Sequence, residues 1–206
     1  GDLVHGDWMA RFVPEGLRVI RDIAFSGNGE PTSASVFPEA VALVLRLRAE
    51  FGLSPTEVPL RLITNGSLMA QARVQEGVRL LGEAGGEVWF KVDGGTAEAI
   101  ERINGVRLEP ESVARNLARC AQLCPTWVQT CMFRWDGEAP STVELDAYLA
   151  VLEAAGIDAL QGVLLYGIAR QSMQPEAARL APLSGDELES IAAYMRKKGL
   201  TVRVSP

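Results

Sequence analysis

Short β-rich runs alternate with longer amphipathic ones along the chain. In the run Glu87–Val92, polar-tolerant positions (Glu87, Trp89, Lys91, continuing to Asp93) alternate with apolar ones (Val88, Phe90, Val92). That period of two marks a strand with two different faces. The run Thr126–Phe133 repeats the pattern, with Trp127, Gln129, Cys131 and Phe133 opposing Val128, Thr130 and Met132. Further strands are predicted at Arg21–Ser26, Leu60–Thr64, Asp158–Tyr166 and Leu200–Val204. Helices are predicted at Ser35–Phe51, Leu68–Glu83, Thr96–Ile103, Pro110–Leu123, Thr142–Ala155 and Asp186–Lys198. Ser54/Glu57, Ser141/Glu144 and Ser184/Glu187 have the spacing of a capping box, in which the two side chains satisfy each other's free backbone donors. Gly156 and Gly199 follow helical runs, where a left-handed residue ends a helix at little cost.

Strand-then-helix alternation implies parallel strands joined by right-handed crossovers, an α/β fold. A sheet covered on both sides by helices favours strands that are apolar throughout. These strands are two-faced, which suits a barrel lined on the inside and packed by helices on the outside. The expectation is a partial TIM-type (β/α)6 barrel of parallel strands with outer helices. No low-complexity linker or charge block divides the chain, so residues 1–206 read as one domain.

Composition narrows the function. The chain has 206 residues, a formal net charge of −6 and 48% hydrophobic residues. An acidic balance disfavours nucleic-acid binding by a broad basic face. No apolar run approaches the roughly 20 residues of a membrane helix. Gly1–Ala10 has no basic stretch followed by an apolar one, so no signal peptide is read there. Three cysteines form no disulfide framework, and a cytoplasmic location is expected.

In a parallel barrel, chemistry gathers at the C-terminal ends of the strands. Those ends read Ser26-Gly27-Asn28-Gly29-Glu30-Pro31-Thr32, Thr64-Asn65-Gly66-Ser67, Lys91-Val92-Asp93-Gly94-Gly95, Gln129-Thr130-Cys131 and Tyr166-Gly167-Ile168-Ala169-Arg170. Polar groups stand beside glycines at most of them. Loops are polar and glycine-rich in any protein, so this pattern alone leaves a shared ligand site and ordinary strand ends equally open.

The segment Ile23–Thr32 resembles the second-strand motif of radical S-adenosylmethionine (SAM) enzymes, in which a Gly-Glu pair binds the methionine amino group. The other strand ends, and Pro182-Leu183-Ser184 before an acidic helix, resemble that superfamily in order over residues 21–204. The branch of Fe–S oxidoreductases similar to the tRNA wyosine-synthesis enzymes is the nearest in pattern. The resemblance implies a SAM-binding core that, in the complete protein, cleaves SAM reductively to a 5′-deoxyadenosyl radical. It implies contacts from Gly29 and Glu30 to the methionine amine, supported by Ser26 and Asn28. Thr64 and Asn65 would lie near the SAM carboxylate or ribose, and Lys91, Asp93 and Gln129 near ribose or substrate. The backbone from Tyr166 to Ile168 would face the adenine.

The resemblance also implies a 4Fe–4S cluster and an external electron donor. The superfamily's C-x3-C-x2-C loop follows its first strand, and no cysteine precedes Arg21. The first β-loop unit is therefore expected to be missing, with the cluster ligands upstream. One sheet edge should then be unpaired and open to self-association. RNA is the substrate class that the wyosine-type likeness suggests, and the acidic charge lends it no support. Two other readings stay open: a degenerate SAM- or nucleotide-binding module without radical chemistry, and a barrel lyase using Lys91 as a Schiff base. An ion pair of Lys91 with Asp93 or a glutamate is the structural alternative to the last.

Other signals carry less. Cys120, Cys124 and Cys131 span a helix end and a strand, so ordinary buried cysteines are expected rather than a metal site. His5 is the single histidine, which excludes a Ser-His-Asp triad and a histidine-based zinc site. Ser67 lacks a G-x-S-x-G setting, and Gly27-Asn28-Gly29 lacks the third glycine of a dinucleotide loop.

Overall fold

The structure, a computed structural model, describes residues 6–27, 29–105, 107–168, 173 and 175–205. Its centre is a six-stranded sheet of β1 (Ile23–Phe25), β2 (Leu60–Thr64), β3 (Glu87–Lys91), β4 (Thr126–Cys131), β6 (Gly162–Tyr166) and β8 (Val202–Ser205). They lie side by side in that order, and every neighbouring pair is parallel. The chain winds through α2 (Phe37–Glu50), α3 (Ala72–Glu83), α4 (Ala97–Asn104), α5 (Pro110–Leu123), α6 (Thr142–Ala155) and α7 (Gly185–Arg196). A short helix α1 (Asp7–Phe12) precedes them. The architecture is the expected α/β one, an open barrel whose edge strands are β1 and β8.

Burial follows the period of two. Leu60, Leu62, Val88, Phe90, Val128, Val163 and Leu165 point outward to the helices and are wholly buried. They meet Val74, Val78 and Leu81 of α3, Leu117 of α5, Leu149 and Leu152 of α6, and Leu188 and Met195 of α7. Each such side chain contributes about 1.5–3 kcal/mol by leaving water, which is why the polar-tolerant face must turn the other way. On that inner face Arg61, Ile63, Trp89, Lys91, Gln129, Cys131, Leu164 and Tyr166 are half-buried.

The N-terminal end of the inner face is filled. Arg61 pairs with Asp22 and with Glu87 (2.6 Å) and lies 4.8 Å over the Trp89 ring, whose indole N–H donates to Glu87 at 3.0 Å. Arg203 lies 4.1 Å over Trp127. With this floor occupied, the free volume of the barrel lies at the strands' C-terminal mouth.

The structure corrects several boundaries. The expected strand Thr126–Phe133 ends at Cys131, because Met132 donates to the carbonyl of Tyr166 (2.9 Å), the last residue of β6. With no strand left to follow, the chain turns away and Phe133–Trp135 becomes β5, antiparallel to β7 (Leu180–Pro182). The expected strand Asp158–Tyr166 starts late: Ile157–Ala159 form a 3₁₀ turn, and β6 begins at Gly162, whose positive φ of 136 starts the strand against Thr201. The first strand is only three residues long, Ile23–Phe25. Both long-helix capping boxes form at Ser141/Glu144 and Ser184/Glu187. At Ser54 no box forms. Its hydroxyl bonds Thr56 (2.8 Å) while Glu57 donates only its backbone N–H to the Ser54 carbonyl (3.2 Å), in a turn too short to need capping.

Candidate functional site

The loop after β1 is held by one carboxylate. Glu30 caps the 3₁₀ turn Pro31–Ser33, its Oε1 accepting from the Thr32 backbone N–H (3.1 Å) and hydroxyl (2.6 Å). The same oxygen accepts from the Thr64 hydroxyl (2.6 Å), and Oε2 accepts from the Asn65 N–H (2.8 Å). The ends of β1 and β2 are thereby stapled together. Arg73, near the start of α3, holds the turn from behind by donating to the carbonyls of Thr32 (3.0 Å) and Ala34 (2.6 Å). Gly66 lets β2's loop fold tightly: its φ is +67, and a Cβ there would stand 2.0 Å from the Phe90 ring. A side chain at that position would be strained twice over, by its backbone and by the core.

Ser26, Gly29, Glu30, Thr64, Asn65, Lys91, Gln129 and Tyr166 line one cavity of about 410 Å³ at the mouth. A carboxylate with an accepting position left on Oε2, the ammonium of Lys91 and the Gln129 amide suit a small polar ligand bearing both signs of charge. Asn28 lies outside the described residues. Asp93 and Ile168 stand apart from this group. They line a neighbouring chamber of about 770 Å³, which shares Lys91 and Tyr166 with the first.

Asp93 lines the larger chamber beside Lys91, which borders both. Its Oδ1 accepts the Cys131 N–H (3.1 Å), and Lys91 Nζ stands 3.8 Å from Oδ2, an ion pair too long for a hydrogen bond. The Asp93 side chain is 5% exposed and that of Lys91 40%. Burial pushes the Asp93 carboxyl above the ordinary carboxylate range, partly countered by Lys91 and the Cys131 N–H. Tyr166 and Tyr148 are raised above the ordinary phenol range, first by burial. Tyr148 shares a 2.7 Å hydrogen bond with Thr130 behind the sheet.

Reading the sequence did not identify the far wall of the larger chamber. Trp135 of β5 has the guanidinium of Arg102 at 5.1 Å and that of Arg179 at 4.6 Å. Arg102 is paired to Glu144 (2.9 Å), and Arg179 grips Asp136 with two bonds (2.9 and 2.5 Å). Nothing in the spacing of residues 102, 135 and 179 signals that they meet. Thr32 lay within the quoted motif without a role, and Arg73 carried no signal.

The thiols do not fit a metal cluster. Cys120 and Cys124 are buried behind the sheet, and Cys131 is half-buried on its inner face. Burial pushes Cys120 and Cys131 up to about 12 and Cys124 higher still, so thiolate ligands are disfavoured. Among the described residues no group of three or more His, Cys, Asp or Glu could hold a metal ion.

No protein-family model and no curated protein matches the sequence. Solved structures do match. A radical SAM methyltransferase from Sphaerobacter thermophilus superposes with a TM-score of 0.62 at 14% identity, over 96% of this chain and 54% of that one. Streptococcus suis SuiB bound to S-adenosylmethionine superposes with a TM-score of 0.59 at 9% identity, over 89% and 39%. The fold is that of radical SAM structures. At these identities the likeness is one of fold, and the chain spans about half the length of the first and two fifths of the second.

Proposed function

We propose that this chain is the SAM-binding core of a radical SAM enzyme. The observation that carries the reading is the convergence of Gly29, Glu30, Thr64, Asn65, Lys91 and Gln129 on one cavity at the strand C-terminal mouth. Glu30 Oε2 would accept from the methionine ammonium, a charge-assisted bond. Lys91 would meet the carboxylate, Gln129 the ribose hydroxyls, and the backbone at Tyr166–Ile168 the adenine edge. In the complete enzyme an iron–sulfur cluster would supply the electron for reductive cleavage of SAM. The cysteines of this chain do not fit such a cluster, so its thiolates would come from other residues.

The test is a calorimetric titration of SAM into the protein. Glu30→Gln should weaken binding about ten- to hundredfold, the value of one charged hydrogen bond of roughly 1.5–3 kcal/mol. Because Glu30 also staples two loops, Gln129→Ala is the cleaner partner, since Gln129 makes no side-chain hydrogen bond among the described residues. It should weaken SAM severalfold while leaving the melting temperature unchanged. Absence of SAM binding by the folded protein, or affinity indifferent to both substitutions, would remove the reading.

A further inference from the structure

Thr32 and Arg73 line no part of the cavity over Glu30, yet both are fixed on the turn that carries its carboxylate. Thr32 is 1% exposed and gives Glu30 Oε1 two donors, its backbone N–H at 3.1 Å and its hydroxyl at 2.6 Å. The Thr64 hydroxyl is a third donor to the same oxygen (2.6 Å). A carboxylate offers about four accepting positions, shared between its two oxygens. Oε1 is therefore saturated. Among the described residues Oε2 has only the Asn65 N–H (2.8 Å), so one accepting position is left for the cavity that Glu30 lines.

A glutamate side chain left to itself samples many rotamers, and that freedom is lost when it grips a ligand. Ordering it in advance removes the loss from binding. The Thr32 hydroxyl suits this role because it reaches the carboxylate from two residues away, inside one turn, without joining separate elements. Thr64, by contrast, ties the loop after β1 to β2, so its hydroxyl holds the fold as well. Arg73 acts one step further back. Its Nη1 donates to the carbonyls of Thr32 (3.0 Å) and Ala34 (2.6 Å), which fixes the 3₁₀ turn at Thr32 and at its C-cap and ties both to α3.

We infer that Thr32 and Arg73 are positioning residues for Glu30: Thr32 fixes which carboxylate oxygen meets the ligand, and Arg73 fixes Thr32. The inference rests on the reading of Glu30 as the acceptor for a ligand ammonium. It gives that acceptor a defined capacity, one N–H on Oε2, because Oε1 has no position left.

Two readouts separate positioning from a merely structural role. The first needs no ligand, because the Asn65 amide proton is bonded to Glu30 Oε2 and to neither Thr32 nor Arg73. In NMR spectra of isotope-labelled protein, Thr32→Val and Arg73→Met should each move the Asn65 amide resonance and speed its hydrogen exchange about tenfold, the worth of one such bond. Thr32→Ser and Arg73→Lys should stay near the parent. The second readout is SAM affinity by calorimetry. Thr32→Val should weaken SAM about three- to tenfold, the cost of ordering one rotamer-rich side chain on binding, and serine should restore it. In a Glu30→Ala background the same substitution should cause no further loss, since no carboxylate remains to be positioned. An Asn65 amide unmoved by both Thr32→Val and Arg73→Met, or an equal loss of SAM affinity with and without the Glu30 side chain, would overturn the inference. If the parent protein binds no SAM, the reading of the cavity fails, and the Asn65 amide still decides whether Thr32 and Arg73 hold the carboxylate.

Discussion

Thr64 donates its hydroxyl proton to the Glu30 carboxylate at 2.6 Å, joining the end of β2 to the loop after β1. The same hydroxyl oxygen accepts the Gly66 N–H at 3.0 Å. Thr64 is 1% exposed, so no water replaces either bond. Thr64→Val keeps the shape and deletes both, stranding a buried N–H and one face of a carboxylate. The expected cost is about 2 kcal/mol, or a fall of about 4–8 °C in melting temperature for a chain of this size. Thr64→Ser should recover most of it. A valine variant that melts with the parent would show that the staple does not hold the loops.

The thiols make a second prediction. With Cys120 and Cys131 pushed up to about 12, roughly one thiol in ten thousand is ionised at about pH 8, and the thiolate is the reactive form. Native protein exposed to iodoacetamide should label slowly at the half-buried Cys131 and not at Cys120 or Cys124 until it unfolds. Mass spectrometry of the intact chain before and after denaturation counts the labels. Anaerobic incubation with iron and sulfide should leave this chain colourless. Fast native labelling at two or more positions, or a stoichiometric chromophore lost on converting the three cysteines to serine, would contradict the burial argument.

How far the sequence could be read follows from which interactions are local. The two-faced runs at Glu87–Val92 and Leu60–Thr64 state their burial directly, since alternate residues must take opposite sides. The boxes at Ser141 and Ser184 are read within four residues. β5 and β7 were illegible because their pairing joins residues nearly 50 apart, and three-residue strands carry no periodic signal of their own. The same holds for the site. Gly29, Glu30, Thr64 and Asn65 stand at strand ends that the barrel rule brings together. That Asp93 would line only the larger of the two chambers, while Lys91, two residues earlier, borders both, depends on where β4 stops and β5 turns off. Local spacing cannot report that.

The last prediction concerns the same Asp93 and the acid side of the stability curve. Burial raises its carboxyl above the ordinary value, and the Lys91 ion pair and Cys131 N–H offset only part of that. The nearby Tyr166, Tyr148 and Cys131 are themselves pushed upward, so at neutral pH they are uncharged, and among the described residues Lys91 is the charge paired with Asp93. A raised folded pKa means that the native state binds a proton more readily than the unfolded chain. Stability therefore falls as pH rises from the unfolded carboxyl's pKa, about 4, to the folded one, and the ionised group remains a burden above it. Asp93→Asn keeps an acceptor for the Cys131 N–H and removes the titration, and Lys91 is exposed enough for water to take over from its lost partner. The variant should be more stable than the parent at neutral pH, with the gap narrowing as the solution is acidified toward about pH 4. Urea unfolding midpoints across that range provide the measurement. A variant less stable than the parent at neutral pH, or a difference that does not change with pH, would mean that the ion pair with Lys91 outweighs the burial of the carboxylate.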